Sequence, residues 1–183
     1  GVVKETGTQV DRSMRDKLVF AFHPHASSFI IHAKRSSLIL IPESLSPETA
    51  CFLPNMETAV NLVQDGAPIL GERVLVLGQG VVGLLTASLL SEFPLENLVT
   101  VDNYELRRKA LGVESRKSKI RDLKPLTFDP SQTEQIKSSL YPGADLTFEL
   151  SGSPSALNNA IELTTFSGRV VIGSWYGQKR AEI

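Results

Sequence analysis

Three glycines with a characteristic spacing, Gly78, Gly80 and Gly83, separate an apolar run from a helix-forming run. In the G-x-G-x-x-G pattern the first glycine permits a tight turn, the second lets a phosphate approach the backbone, and the third lets helix and strand pack closely. The backbone N–H groups of Val81 and Val82 would then face the phosphates from the positive end of a helix. This chemistry is typical of a site for the diphosphate of a dinucleotide.

An acid, Asp102, ends the next apolar run, where a carboxylate can accept hydrogen bonds from the ribose hydroxyls of an adenosine. Its negative charge repels a 2′-phosphate, so the pattern favours NAD over NADP. Arg107, Arg108 and Lys109 leave NADP as an alternative, because a guanidinium could turn toward that phosphate. We expect further cofactor contacts from residues at the ends of the predicted strands, namely Asn103, Ser151, Gly152 and Gly173.

Two other interpretations of the glycine run remain. It could be a glycine-rich turn between strand and helix in another kind of α/β protein. It could also belong to a class I methyltransferase, which likewise ends its second strand on an acid. Those enzymes usually have another glycine at the position of Val82, so the pattern argues against a methyltransferase.

Alternating strand-like and helix-like runs surround the glycine motif and would position these residues. The alternation predicts an α/β domain whose parallel sheet is wound in both directions from its first strand. Ser131, followed three residues later by Glu134, resembles a capping box at a helix start. The stretch 113–124 is polar and basic and is predicted to be a solvated loop. The predicted strands are 73–77, 98–102, 126–128, 145–150 and 169–173, and the predicted helices are 84–90, 104–111, 131–140 and 154–164.

The first part of the chain has a different character. Residues 1–45 contain short β-branched and aromatic runs separated by polar clusters, which is typical of an antiparallel barrel. Ser46 and Pro47 then indicate a helix start, and Pro54 is expected to divide the following run into two helices. The predicted barrel strands are 2–3, 18–22, 29–33 and 38–41.

The composition narrows the function classes. The sequence has 183 residues, 42% hydrophobic and 21% charged, with a net charge of −1, so nothing indicates a nucleic-acid partner. Its single cysteine, Cys51, excludes an internal disulfide framework and any multi-cysteine zinc site within the chain. No apolar run approaches the roughly 20 residues of a membrane span, so we expect no membrane partner and a cytoplasmic location. Both ends resemble cuts, so we expect a longer parent protein.

Besides the glycine motif, three stretches carry a family resemblance: 29–45, 143–153 and 167–173. Together they resemble the medium-chain dehydrogenase/reductase superfamily, the relatives of zinc-type alcohol dehydrogenases. The resemblance implies a doubly wound parallel Rossmann sheet preceded by part of a GroES-like antiparallel β barrel. The implied domains are a partial GroES-like catalytic domain at 1–45, connecting helices at 46–71, and an NAD(P)-binding Rossmann domain at 72–183 that stops before the sixth strand.

The resemblance also implies an activity, namely hydride transfer between NAD(P) and a small alcohol or carbonyl substrate. A second hypothesis is an inactive nucleotide-binding module that kept the fold and lost its zinc site. The superfamily commonly forms dimers, which implies a homodimer for the full-length protein. The segments 53–59 and 173–177 are most similar to the branch that contains hydroxyethyl bacteriochlorophyllide dehydrogenase.

The resemblance also bears on zinc ligands and catalytic residues. Leu53 stands where zinc-dependent members have a ligand, and the structural zinc lobe expected between Phe22 and Phe29 is missing, so the resemblance leaves zinc open and we assign no metal ligand. Cys51 is expected to be a buried small hydrophobe. Weak catalytic candidates are His25, with its neighbour His23, and Glu57, which the resemblance places near the substrate pocket and nicotinamide ring. His32 is expected to be structural, within a strand.

Overall fold

The computed structural model of the chain describes residues 1–33, 38–110 and 124–180. The backbone divides into two compact units, Gly1–Pro54 and Asn55–Ile183. The predicted basic loop at 113–124 lies outside the described residues, except for Lys124. No helix among the described residues is long and apolar enough to cross a membrane.

The first unit contains a small antiparallel sheet. Strand β1 (Val19–Phe20) pairs with β2 (Ile39–Leu40), and an isolated bridge joins Val2 to Leu18. Helix α1 (Pro47–Ala50) begins as predicted, because the hydroxyl of Ser46 accepts a hydrogen bond from the backbone N–H of Thr49. The small antiparallel sheet agrees with the predicted partial barrel.

The predicted strand at 29–33 is wrong. These residues have no strand conformation, and Ile30 is 99% exposed. A β-branched run favours a strand chiefly through packing and pairing with neighbouring strands. Ile30 has no such packing within the part of the chain that the structure describes. His32, expected to be structural within that strand, is exposed.

The second unit is built on a parallel sheet of five strands in the order β5-β4-β3-β6-β7. The chain starts in the middle at β3, moves outward to one edge, and then crosses back to fill the other side. This is the predicted doubly wound arrangement, and with the small antiparallel sheet it confirms the fold class. The strands are β3 (Arg73–Leu77), β4 (Asn97–Val101), β5 (Leu126–Phe128), β6 (Ala144–Glu149) and β7 (Thr164–Ile172).

Helices cover both faces of the sheet and explain why its strands are continuously apolar. Along β3, Val74 and Val76 pack in one hydrophobic cluster with Phe148, whereas Leu75 and Leu77 pack in a second cluster on the opposite face. A strand buried on both faces has no polar alternation. The helices are α2 (Leu53–Gly66), α3 (Val81–Leu90), α4 (Glu105–Ala110), α5 (Thr133–Leu140) and α6 (Pro154–Leu163).

Two local predictions differ from the structure. The capping box at Ser131 is wrong, because its hydroxyl donates to the Asp129 carboxylate at 2.7 Å and α5 starts without a side-chain cap. Strand β7 begins at Thr164 rather than at Arg169, and its pairing with β6 shifts register after Thr164. In that irregular segment Ser167 takes a positive φ of 63°, a conformation that sequence pattern alone does not indicate.

Candidate dinucleotide-binding site

The turn between β3 and α3 needs glycine at two positions for steric reasons. Gly78 has a φ of 95°, and a Cβ there would lie 2.7 Å from the Cα of Ser151. A Cβ on Gly83 would lie 1.9 Å from the carbonyl oxygen of Gly78. Both distances are shorter than nonbonded atoms can approach. These glycines therefore permit the close packing of β3, α3 and the end of β6.

Gly80 differs from the other two glycines. A Cβ there would meet nothing within 4 Å, so packing inside the protein does not require glycine. Gly80 precedes the first residue of α3, and no side chain caps that helix start. The first N–H groups of a helix have no partner within the helix, so those of Val81 and Val82 are suited to an anion. The absent side chain at Gly80 leaves room for that anion to approach.

Asp102 follows β4 and is only 6% exposed. Its Oδ2 accepts a hydrogen bond from the backbone N–H of Gln79 at 2.7 Å, and its Oδ1 accepts one from the backbone N–H of Tyr104 at 2.7 Å. A carboxylate oxygen can accept more than one hydrogen bond, so these contacts leave capacity for ribose hydroxyls. The structure therefore places the predicted acid directly beside the glycine turn.

Two arginines of α4 are held close to Asp102 in different ways. Nη1 of Arg107 lies 3.6 Å from Oδ2 of Asp102, and its guanidinium stacks 4.6 Å from the centroid of the Tyr104 ring. Nη1 of Arg108 donates to the backbone oxygen of Asp102 at 2.6 Å and pairs with Asp129 at 2.8 Å. Arg108 is thus tied to protein groups, whereas Arg107 keeps a half-exposed guanidinium. The predicted contact Asn103 is exposed beside them.

The other predicted contacts lie at the ends of β6 and β7. The backbone N–H of Gly152 donates to the hydroxyl of Ser174 at 2.8 Å, which joins the two strand exits. A Cβ on Gly173 would lie 2.6 Å from a methyl of Leu150, so a larger residue would press on the segment below it. Ser151 is exposed, and its hydroxyl donates to Oε1 of Glu149 at 2.5 Å.

Three residues at this site were not singled out from the sequence. Gln79 is fully buried in the glycine turn, where its Nε2 donates to the Gly78 oxygen at 3.0 Å. Glu149 is fully buried at the end of β6, and the hydroxyl of Tyr176 donates to its Oε2. A carboxylate at the end of an apolar strand was the available signal for Glu149. Nothing in the sequence pairs it with Tyr176.

The weak catalytic candidates are exposed. The ring of His23 stacks on Phe29 with centroids 3.9 Å apart, and its Nδ1 lies 2.8 Å from the Pro24 oxygen. His25 belongs to the first unit and Glu57 to helix α2, and each side chain is solvent-exposed. No hydrogen bond within the described part of the chain orients either one. Their assignment as catalytic groups stays a prediction.

Cys51 is exposed, so its predicted role as a buried hydrophobe is wrong. It follows the last residue of the short helix α1, where the chain turns toward α2, and the inward-facing position is taken by Ala50 instead. Among the described residues, no group of three or more histidine, cysteine or acidic side chains is placed to hold a metal ion. The described residues therefore do not supply a zinc site.

Known proteins resemble this chain in sequence and in fold. No family model matches the chain. The (R,R)-butanediol dehydrogenase of Bacillus subtilis is 29% identical over 150 residues, which cover 80% of this chain and 40% of that enzyme. The chain therefore spans less than half the length of this curated relative.

Solved structures show the same architecture. An Escherichia coli structure, described as a short chain alcohol dehydrogenase in complex with NADH, superposes with a TM-score of 0.75 at 19% identity, covering 100% of this chain and 61% of that one. A Sinorhizobium meliloti structure, described as a zinc-binding dehydrogenase bound to NADP, gives a TM-score of 0.67 at 24% identity, covering 81% and 43%. The sequence comparison supports the predicted resemblance of this chain to dehydrogenases of the medium-chain superfamily, and the solved structures show that the fold is shared.

Proposed function

We propose that this chain is the cofactor-binding part of an oxidoreductase that transfers a hydride between NAD(P) and a small alcohol or carbonyl substrate. One observation carries the proposal: the buried carboxylate of Asp102 is hydrogen-bonded to the same glycine turn that opens helix α3. The acid proposed to bind ribose is thus held against the turn that leads into the helix start proposed to bind phosphate. The hydrogen bond fixes the turn, and it also brings the two groups proposed to bind the adenosine and the diphosphate to one site.

Each residue of the site has a distinct part in the proposal. The N–H groups of Val81 and Val82 hold the diphosphate, which reaches them past Gly80. Asp102 accepts the adenosine ribose hydroxyls, with Asn103 and Arg107 beside them. On the other side of the turn, the second nucleoside lies against strand exits that include Ser151, Gly152 and Gly173. The bound nicotinamide supplies the hydride acceptor or donor, and the protein holds it in place and excludes water.

We infer a preference for NAD over NADP. Asp102 carries its charge where a 2′-phosphate would lie, and a like charge there is unfavourable. Arg107 favours NADP, because its half-exposed guanidinium could pair with such a phosphate. In the free protein it instead lies against the Tyr104 ring and near Asp102. The related structures hold NADH in one case and NADP in the other, so the choice must be measured on this protein.

A second candidate function is a nucleotide-binding module without catalysis. It is favoured by Leu53, an apolar residue where zinc-dependent relatives have a ligand, and by the exposed, unoriented side chains of His25 and Glu57. The Bacillus subtilis relative is a butanediol dehydrogenase, which supports the enzyme over the inactive module. Placement in the hydroxyethyl bacteriochlorophyllide dehydrogenase branch, a cytoplasmic location and a homodimer also belong to the proposal.

Titration of the full-length protein with NADH and NADPH, followed by fluorescence of the reduced ring, tests the proposal. We expect saturable binding with a lower Kd for NADH. Reduction of NAD at 340 nm is then followed with a panel of secondary alcohols that includes 2,3-butanediol. Turnover with any member supports the enzyme, whereas NADH binding without turnover supports the inactive module. Absence of both NADH and NADPH binding would overturn both candidates.

A further inference from the structure

The carboxylate of Glu149 is fully buried at the end of β6. Its Oε1 accepts hydrogen bonds from the backbone N–H of Ser151 at 2.8 Å and from the Ser151 hydroxyl at 2.5 Å, and its Oε2 accepts one from the hydroxyl of Tyr176. Within the described part of the chain, no cation pairs with it. A buried acid is tolerated only when hydrogen bonds satisfy it, so these donors have a definite structural task.

The backbone of Glu149 extends the same set of contacts. Its carbonyl oxygen accepts hydrogen bonds from the N–H of Gly173 at 3.0 Å and from the hydroxyl of Ser174 at 3.2 Å. The hydroxyl of Ser174 in turn accepts from the N–H of Gly152. Side chain and backbone of one acid therefore connect the segment that leaves β6 with the segment that leaves β7. We call Glu149, Ser151, Ser174 and Tyr176 the Glu149 cluster.

The Glu149 cluster lies beside the glycine turn, on the side away from Asp102. Glu149 is the register partner of Leu77 on β3, and the N–H of Leu150 donates to the Leu77 oxygen at 2.8 Å. Leu77 directly precedes Gly78. Asp102 stands on the opposite side of the turn, at the end of β4. A dinucleotide that crosses the sheet at this point of reversed strand order has its adenosine on the Asp102 side and its second nucleoside on the Glu149 side.

We propose that the Glu149 cluster positions the nicotinamide half of the cofactor, with Tyr176 as the residue that holds the segment after β7 against β6. The inference rests on the proposed dinucleotide site. It adds which residues position the nicotinamide half of the bound cofactor. Tyr176 is a positioning residue, since it acts through the backbone of the segments it connects. Loss of its hydroxyl would leave a buried carboxylate oxygen without its donor and loosen the segment that follows Gly173, which Ser174 and Lys179 would still hold.

The chemistry of Tyr176 suits a permanent contact. Burial, and next the hydrogen bond to Glu149, raise the pKa of Tyr176 to about 12. The phenol therefore remains protonated near neutral pH and can donate its proton in the hydrogen bond to Glu149. Lys179 lies close by, where its ammonium donates to the Gly152 oxygen at 3.1 Å and adds a further, exposed connection between the two strand exits.

The test compares binding of NADH with binding of ADP, which has the adenosine and diphosphate but no nicotinamide nucleoside. In the Tyr176→Phe variant we expect the Kd for NADH to rise about tenfold, because binding must then order a segment that the tyrosine no longer holds in place. The Kd for ADP should stay within about twofold, because Asp102 and the glycine turn are intact. Tyr141→Phe is the matched control, since Tyr141 is an exposed tyrosine outside the cluster. It should change neither Kd.

A second variant protects the test against misfolding. Ser174→Ala removes a small side chain from the same cluster, and we expect the same selective loss of NADH affinity with unchanged ADP affinity. Equal weakening of NADH and ADP in both variants, or unchanged NADH affinity in both, would overturn the inference. If the unaltered protein binds neither ligand, the proposed dinucleotide site itself fails. The two failures are therefore distinguishable.

Discussion

Asp102 accepts a hydrogen bond from the backbone N–H of Gln79 at 2.7 Å, which fixes the end of β4 to the glycine turn after β3. The same carboxylate is the group that would hold the adenosine ribose. Its position is therefore set by the protein before a cofactor arrives. A preorganised acid loses little conformational freedom when it binds, which favours affinity.

Asp102→Asn should weaken NADH binding by about tenfold or more, because a charge-assisted hydrogen bond to ribose becomes a neutral one. Binding of NADPH should fall less, since the substitution also removes the negative charge that repels the 2′-phosphate. The preference for NADH over NADPH should therefore narrow. Fluorescence titration with both cofactors measures the ratio. Asp65→Asn changes the same charge on the exposed face of α2 and should leave the ratio as it was.

Alanine at two glycines of the motif should have opposite consequences. Gly80→Ala should change the unfolding free energy by less than about 1 kcal/mol, because its Cβ meets nothing, yet it should abolish measurable NADH binding by occupying the path of the diphosphate. Gly83→Ala should destabilise the fold by about 3 kcal/mol or more, because its Cβ would overlap the Gly78 oxygen. Urea unfolding and NADH titration of both variants separate the effects.

The destabilisation expected for Gly83→Ala is opposite to the effect that helix propensity alone would give. Alanine inside a helix is normally better than glycine by about 1 kcal/mol, so a stabilised Gly83→Ala variant would contradict the packing described above. Retained NADH affinity in Gly80→Ala would contradict the proposed path of the diphosphate.

Local spacing made the geometry of the glycine turn predictable. The roles of Gly78 and Gly83 depend on residues a few positions away in the chain, and Asp102 closes the next strand, so sequence order alone places them together. The alternation of apolar runs likewise predicted a doubly wound sheet, because strands buried on both faces leave few other topologies.

Contacts between distant segments were not predictable in this way. The meeting of Glu149 with Tyr176 depends on the register of β6 against β7, and that register shifts within the pair. The run at 29–33 has the residue types of a strand, yet a strand forms only where a neighbour pairs with it. Ser131 had a suitable spacing for a cap, but the nearby Asp129 takes its hydroxyl.

Asp145→Asn should destabilise the second unit by about 2 kcal/mol, as for loss of hydrogen bonds between charged groups. The Asp145 carboxylate accepts from Nε and Nη2 of Arg73 at 2.9 and 2.8 Å and from the Arg73 backbone N–H at 2.9 Å. These bonds, first among them that from the Arg73 side chain, lower the pKa of Asp145 below its ordinary value. The stabilisation that this carboxylate provides is therefore complete when the pH lies above its ordinary pKa. It is lost as the pH falls through the lowered pKa of the folded state.

Urea unfolding at pH 7 and at successively lower pH checks this expectation. The difference between the unaltered protein and Asp145→Asn should shrink as the solution is acidified. Glu162→Gln is the matched control, because the pair of Glu162 with Lys137 is exposed and should contribute little. Equal effects of the two substitutions at pH 7 would show that the Arg73 contact is no more than a surface ion pair.

Tyr176 should give the stability of the protein a distinct dependence on alkaline pH. Its folded-state pKa of about 12 lies above the ordinary value of 10.0, because burial and the bond to Glu149 favour the protonated phenol. The folded state thus retains a proton that the unfolded state loses first. The stabilisation is complete below about pH 10, and it is lost progressively as the pH rises through about 12.

The measurement is the difference in unfolding free energy between the unaltered protein and Tyr176→Phe, taken by urea unfolding from pH 8 to pH 12. Lysines and the other tyrosines titrate in both proteins, so their contributions cancel in the difference. We expect a constant difference below pH 10 and a declining one above it. Tyr141→Phe is measured beside it as the matched control, since Tyr141 is exposed and lies outside the Glu149 cluster. A Tyr176→Phe difference that stays level or grows above pH 10 would mean that the hydroxyl does not donate to Glu149 in solution.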